Sequence, residues 1–342
     1  GNVRTTCPQV SCSGRAAHEE RAVARREQPR RRPRARLVQA RAAAADLEEV
    51  LTPFAAAPFV AQRDRSNELS LSQIRANLIR QEDSIIFGLI ERSQFAANRV
   101  IYMRDSLPIP GFHADGSRYS FLEYVLHETE SIHGKIRRYT SPVERAFFPE
   151  QVPMLVLPPI IFEEVLSPCA MDISLNQKIM SVYTDEIIPA VTHPEPEDDA
   201  NYGSCALLDV SCLQAISKRI HFGLYVAEAK FRANKEQYSA LIEAQDADGL
   251  MALLTNEAVE ANVVKRVAKK AATYGQHIEA DSAAGLNLRI DLDWDRVKVA
   301  PEAIGKLYLS QIMPLTKEVQ VAYLLRRLDP TVADAIEEYE QQ

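Results

Sequence analysis

From Asn67 to Leu328 apolar residues recur mainly at three- and four-residue steps, and that period predicts an all-α fold. Leu69, Leu71, Ile74, Leu78, Ile85, Leu89 and Ile90 mark one face of a long first helix with no Pro or Gly before Gly88. Pro108, Pro110, Gly111 and Gly116 make 104–119 a loop, and a second helix is expected over 120–139. The proline-rich stretch 141–159 reads as extended connector, because each proline biases the residue before it away from helix. Helical spacing returns over 171–191 and then, after an acidic loop at 193–199, in one long run from Cys205 to Phe231. Further helices are expected over 235–255, 257–274 and 301–328. The segment 281–299, which holds Trp294, fits a short hairpin or an ordered loop equally well. The expected architecture is a helical bundle of long and short helices, with any active site inside the bundle.

Composition sharpens this picture. Glycine is scarce (12 of 342 residues) and aromatics make up 7%, which suits long helices better than a β-sandwich. The longest apolar runs fall short of a membrane span. The net charge of -7 is unevenly spread. Residues 1–45 carry eleven Arg and three Glu, a net of +8, so the remainder carries -15. So acidic a body repels phosphate backbones, and nucleic-acid binding would have to rest on the arm alone. That arm reads as a basic nucleic-acid tether or as an Arg-rich, acid-poor organellar transit peptide, and the Ala-Arg run over 36–45 favours transit. Residues 1–65 are therefore set apart as a transit peptide or disordered arm, and 66–342 as the folded domain. Cys7, Cys12, Cys169, Cys205 and Cys212 form neither a disulfide framework nor a metal-ligand set, so no structural metal is expected.

A few polar residues share a helix face or edge an apolar stripe, and a bundle core could gather such residues into a pocket. On an unbroken helix, Arg219 and Lys230 return to within about 20° of one face, roughly 16 Å apart along the axis. Asn256 and Glu260 are spaced i,i+4, as are Thr316 and Gln320. Arg75 adjoins Ile74 at the edge of the first helix's apolar stripe. By spacing alone such residues decorate solvated faces far more often than they line a bundle's core. Dinucleotide, P-loop, zinc-protease and serine-hydrolase motifs do not occur in the chain.

Longer blocks say more. Ile74-Arg75, Arg80 and the run Gln81 to Phe87 resemble the opening helix of the eukaryotic chorismate mutases, and Phe147-Phe148-Pro149 resembles their connector. Residues 201–204, 212–214, 217–223 and 226–231 are the most distinctive match, and 314–321 and 323–328 complete it. The likeness runs in order from Asn67 to Asp329 and is closest to the plant and algal plastid type. It implies an isomerase that rearranges chorismate to prephenate without cofactor, within aromatic amino-acid (shikimate-pathway) synthesis. The partners implied are chorismate and a second copy of the chain, with neither nucleic acid nor membrane, in the chloroplast stroma.

The resemblance also distributes roles. Arg75 and Arg219 would clamp two carboxylates, Lys230 and Gln320 would donate to the ether oxygen, and Asn256, Glu260 and Thr316 would position the substrate. Gln320 stands where fungal members have Glu, and an amide donates without titrating. Arg137, Arg138, Asn201, Gly203 and Ser204 would bind tryptophan, tyrosine or phenylalanine as allosteric effectors. Leu207 replaces a polar residue of the fungal effector site, and Ala300 replaces a Thr before Pro301, removing a helix cap. A non-catalytic relative that only binds aromatic amino acids is the alternative reading.

Overall fold

The computed structural model describes residues 70–109, 118–157, 165–193, 196–276 and 297–329, which all belong to one compact unit spanning 61–342. The N-terminal arm, Trp294 and most of the undecided 281–299 segment lie outside the described residues. Among the described residues the structure is all-α, with two isolated bridges, Ala96 to His193 and Gln276 to Val297, in place of strands.

Helix starts follow local chemistry. Helix α1 (Leu71–Arg92) begins after Ser70, whose side chain accepts from the Gln73 amide. Helix α2 (Phe121–Lys135) has a full capping box: Ser120 Oγ accepts from Glu123 N at 3.1 Å, and Glu123 Oε2 accepts from Ser120 N at 2.7 Å. Helices α3 (Asn176–Val182) and α4 (Ile188–Val191) are joined by a π turn at Tyr183–Ile187. A second π turn, Tyr308–Ile312, joins α10 (Pro301–Leu307) to α11 (Met313–Leu325). Both π turns contain the residue four before a proline, Pro189 and Pro314. The proline ring cannot lie against that carbonyl and offers no N–H to it, so the helix widens by one residue instead of breaking.

The long run expected from Cys205 to Phe231 is two helices, α5 (Tyr202–His221) and α6 (Gly223–Ala233), with Phe222 between them. The expected 235–255 helix likewise divides into α7 (Lys235–Glu243) and α8 (Ala247–Leu254). Gln245 adopts φ 52° at the break, and Asp246 caps α8 by accepting from Gly249 N at 2.8 Å. Helix α9 (Glu257–Tyr274) has the expected bounds.

Helix α5 lies at the centre and packs on α1, α2, α3 and α11. Its Val210, Cys212, Leu213, Ile216 and Ile220 are buried with Ile85, Ile86 and Leu89 of α1 and Leu315 and Val319 of α11. Around this core, α6 lies along α11, and α9 packs on α1 and α10. Four helices therefore meet round one end of α5, and that junction holds the site.

Candidate active site

A cavity of about 440 Å³ opens between α1, α5, α6, α9 and α11. Arg75, Arg219, Lys230, Asn256, Glu260, Thr316 and Gln320, drawn from separate parts of the sequence, all line it. They are graded in depth. Arg219, Thr316 and Gln320 are buried, Lys230 and Glu260 are half-buried, and Arg75 and Asn256 are exposed at the mouth.

Two of the sequence arguments for these residues reach the cavity by different geometry. The helix carrying Arg219 ends before the one carrying Lys230 begins, so the α5–α6 junction, and not one continuous face, relates them. Asn256 is not in the body of α9 but caps it, its Oδ1 accepting from Val259 N at 3.1 Å. Capping points the amide oxygen into the helix and leaves its NH₂ for other partners.

The deep wall is the informative part. Arg219 is 5% exposed, and its Nε and Nη1 are buried without a hydrogen-bond partner. Burial pushes its guanidinium down from its usual range, Tyr308 and Glu82 oppose that shift, and Arg266 adds to it. A buried, unpaired guanidinium is costly unless an anion completes it. Lys230 donates to the Leu254 carbonyl at 2.7 Å. Burial and the nearby Arg75 lower its ammonium, with Glu260 pulling the other way. Thr316 spends its hydroxyl proton on Ile312 O at 2.6 Å. Gly223 lets α6 come close to α11 here, for a Cβ at that position would lie 3.0 Å from the Thr316 carbonyl and 3.3 Å from Gln320 Cγ.

Three further residues of the wall escape sequence reasoning. Glu82, fully buried, accepts from Arg266 at 2.9 and 2.6 Å and pairs with Lys270 at 3.2 Å. Its position in the stripe of Ile74, Leu78, Ile85 and Leu89 was a usable signal, a carboxylate on a core-facing register. Arg266 and Lys317 had no such signal. Among the described residues no cluster of His, Cys, Asp or Glu could hold a metal ion, and no helix is long and apolar enough to cross a membrane.

The expected effector residues lie at the end of α2 (Arg137 and Arg138) and at the start of α5 (Asn201, Gly203 and Ser204). Arg137 follows α2 in the left-handed region (φ 76°), with Nε buried and unpartnered. Arg138 pairs with Glu144 at 3.0 Å and donates to Gln214 Oε1 at 3.0 Å. Asn201 stands just before α5 and donates to Asp198 at 2.6 Å, while Gly203 and Ser204 are exposed in the first turn. A second cavity of about 580 Å³ between α1, α2 and α5 takes in Arg138 and Leu207 but not the other four.

Among the described residues, fold and site together define an all-α bundle that encloses a chamber lined by the cationic side chains of Arg75, Arg219, Lys230, Arg266 and Lys317. The chain belongs to the chorismate mutase family. Residues 201–321 match the family described as chorismate mutase type II. Over 269 residues the chain is 47% identical to chorismate mutase 1, chloroplastic, of Petunia hybrida, covering 78% of each protein. The chorismate mutase of Candida albicans, solved in complex with L-Trp, shares 40% identity at a TM-score of 0.69, covering 79% of this chain and 96% of that one. AtCM1, solved with tyrosine bound in its allosteric site, shares 44% identity at a TM-score of 0.67, covering 78% of this chain and all of the other.

Proposed function

We propose that this chain rearranges chorismate to prephenate in the chamber between α1, α5, α6, α9 and α11, acting as a chorismate mutase of the plant plastid type. The observation that carries the reading is the buried guanidinium of Arg219, held in the chamber with two nitrogens unpaired. The substrate is a dicarboxylate. Its [3,3] rearrangement breaks the ether C–O bond as a C–C bond forms, within one molecule and without a nucleophile. Catalysis then consists of holding the reactive chair and placing donors at the oxygen that gains charge.

Arg219 from below and Arg75 from the mouth bind the two carboxylates by charge-assisted hydrogen bonds. Lys230, which spends one proton on Leu254 O, has two more to offer, and one reaches the ether oxygen. Gln320, on the deep wall, donates to the same oxygen through its amide. Asn256 and Glu260 hold the ring carboxylate or hydroxyl, and Thr316 packs beneath them. Loss of chorismate absorbance with purified protein tests the reading. Turnover that Lys230→Ala reduces at least about a hundredfold is expected, a plausible loss for a donor to developing charge. A folded protein without turnover would leave the binding-only relative as the better account.

Regulation and assembly follow as part of the same reading. Arg137 and Arg138 at the end of α2, and Asn201, Gly203 and Ser204 at the start of α5, form two half-sites for an aromatic amino acid, completed across a homodimer. Exposed Ile132, Ile136 and Leu207 near these half-sites favour that assembly. Residues 1–65 serve as the plastid transit peptide, in line with the chloroplastic relative. Equilibrium dialysis with tryptophan, and the mass in solution by light scattering, test both. Absence of binding at millimolar tryptophan, or a monomer, would reject them.

A further inference from the structure

Two carboxylates face the chamber, and they are treated differently. Glu82 is fully buried and already holds Arg266 and Lys270. Glu260, in the first turn of α9, is about a quarter exposed and receives Lys317 Nζ at 3.1 Å on one oxygen and 3.4 Å on the other. Lys317 lines the same chamber. It follows Thr316 on α11, and one step of about 100° turns it from the deep wall, where Thr316 and Gln320 lie, toward the first turn of α9. The lysine thus bridges α11 to the one chamber carboxylate, among the described residues, that the half-buried Arg266 and Lys270 leave over.

That placement has an electrostatic consequence. A carboxylate beside a site for a dianion repels the ligand unless its charge is offset, and the repulsion is strong in a partly desolvated chamber. An acceptor is still needed if a ligand hydroxyl is to be bound there.

We propose that Lys317 is a positioning residue for Glu260, holding its carboxylate and offsetting its charge so that Glu260 accepts a hydrogen bond from the substrate hydroxyl without repelling the substrate carboxylates. The inference rests on chorismate being the ligand of this chamber. Lys317 acts through Glu260 and does not meet the reacting atoms. Its loss therefore weakens substrate binding and leaves the rearrangement of bound substrate largely intact.

Steady-state kinetics on chorismate with the full chain, Lys317→Met, Lys317→Arg, Glu260→Gln and the Lys317→Met/Glu260→Gln pair test this. Lys317→Met should raise KM roughly tenfold with kcat within about threefold, the signature of lost ground-state binding. Lys317→Arg, which keeps the charge, should restore KM to within about threefold of the parent. In the Glu260→Gln background the methionine should change KM less than about twofold, because no charge remains to be offset. An unchanged KM in an active Lys317→Met protein would overturn the proposal. So would an equal rise in KM with and without Glu260, since Lys317 would then meet the substrate directly. Should the methionine variant not fold, Lys317→Gln carries the same comparison. Absence of turnover in the parent protein would count against the proposed function instead.

Discussion

Arg92 Nε stands 2.8 Å from Asp209 Oδ1, and both side chains are sealed from solvent although 117 positions separate them in the chain. Arg92 spends its other donors on the carbonyls of Ala96 and Ala97 at 2.9 Å each and on the Tyr102 hydroxyl at 3.0 Å. Asp209 also accepts from Tyr183 and Tyr102 at 2.7 Å each. The pair locks the end of α1 to the middle of α5, the helices that carry Arg75 and Arg219. Removing one partner strands a buried charge. Arg92→Met or Asp209→Asn should each cost about 3–5 kcal/mol in urea unfolding, and the double variant less than the sum.

The pH dependence of turnover should separate the two proposed donors. Lys230 donates only when protonated, and burial with Arg75 lowers its pKa, so activity should fall with rising pH earlier than an ordinary lysine would require. Gln320 does not titrate, so its donation should stay level through neutral pH. Gln320→Glu replaces the amide with a group that donates only when protonated, and the optimum should move toward acid. A pH–rate profile unchanged by that substitution would remove Gln320 from the mechanism.

Gly223 and Gly203 should respond oppositely to alanine. A Cβ on Gly223 lies 3.0 Å from the Thr316 carbonyl, a backbone atom that cannot turn aside, and 3.1 Å from Thr316 Cγ2. Gly223→Ala should cost about 1–3 kcal/mol and lower kcat/KM about tenfold by moving Thr316 and Gln320. A Cβ on Gly203 meets nothing within 4 Å in this subunit, so Gly203→Ala should leave its stability equal or slightly raised. Thermal melts and kinetics of the two variants check both statements.

His221 ties α5 to the start of α3 and should make the fold sensitive to mild acid. Its Nε2 accepts from Leu175 N at 3.1 Å, its Nδ1 lies 2.8 Å from Ser217 O, and the ring is fully buried. Burial pushes its pKa down to about 4 from 6.5, Ser217 opposing the shift. The folded state therefore resists a proton that the unfolded chain accepts. Stability should be complete above about pH 6.5 and fall as the pH drops toward 4, by up to about 2 kcal/mol between pH 7 and 5. Urea midpoints at those two pH values measure it, and His221→Phe should flatten the difference.

Helical periodicity and cap chemistry were legible over most of the chain, because both are local. Ser120 with Glu123, and the apolar stripe of α1, announce themselves within a few residues. The breaks at Phe222 and Gln245 were not legible, since apolar spacing continues across each and packing chooses the turn. The π turns at Tyr183 and Tyr308 have a local signal in Pro189 and Pro314, but apolar spacing alone runs through both.

The order of residues by itself determined the all-α class, the position of most helices and, through long blocks of likeness, a family. It also named seven polar residues for one chamber. Only the tertiary structure decided that Arg219 is buried with unpaired nitrogens, that Glu82 is already occupied by Arg266 and Lys270, and that Lys317 reaches Glu260. The reason is physical. Helix formation and capping depend on neighbours three or four positions away. The charge and hydrogen-bond state of a chamber wall depends on side chains that meet only when α1, α5, α9 and α11 pack together, and no local pattern encodes which of them pair.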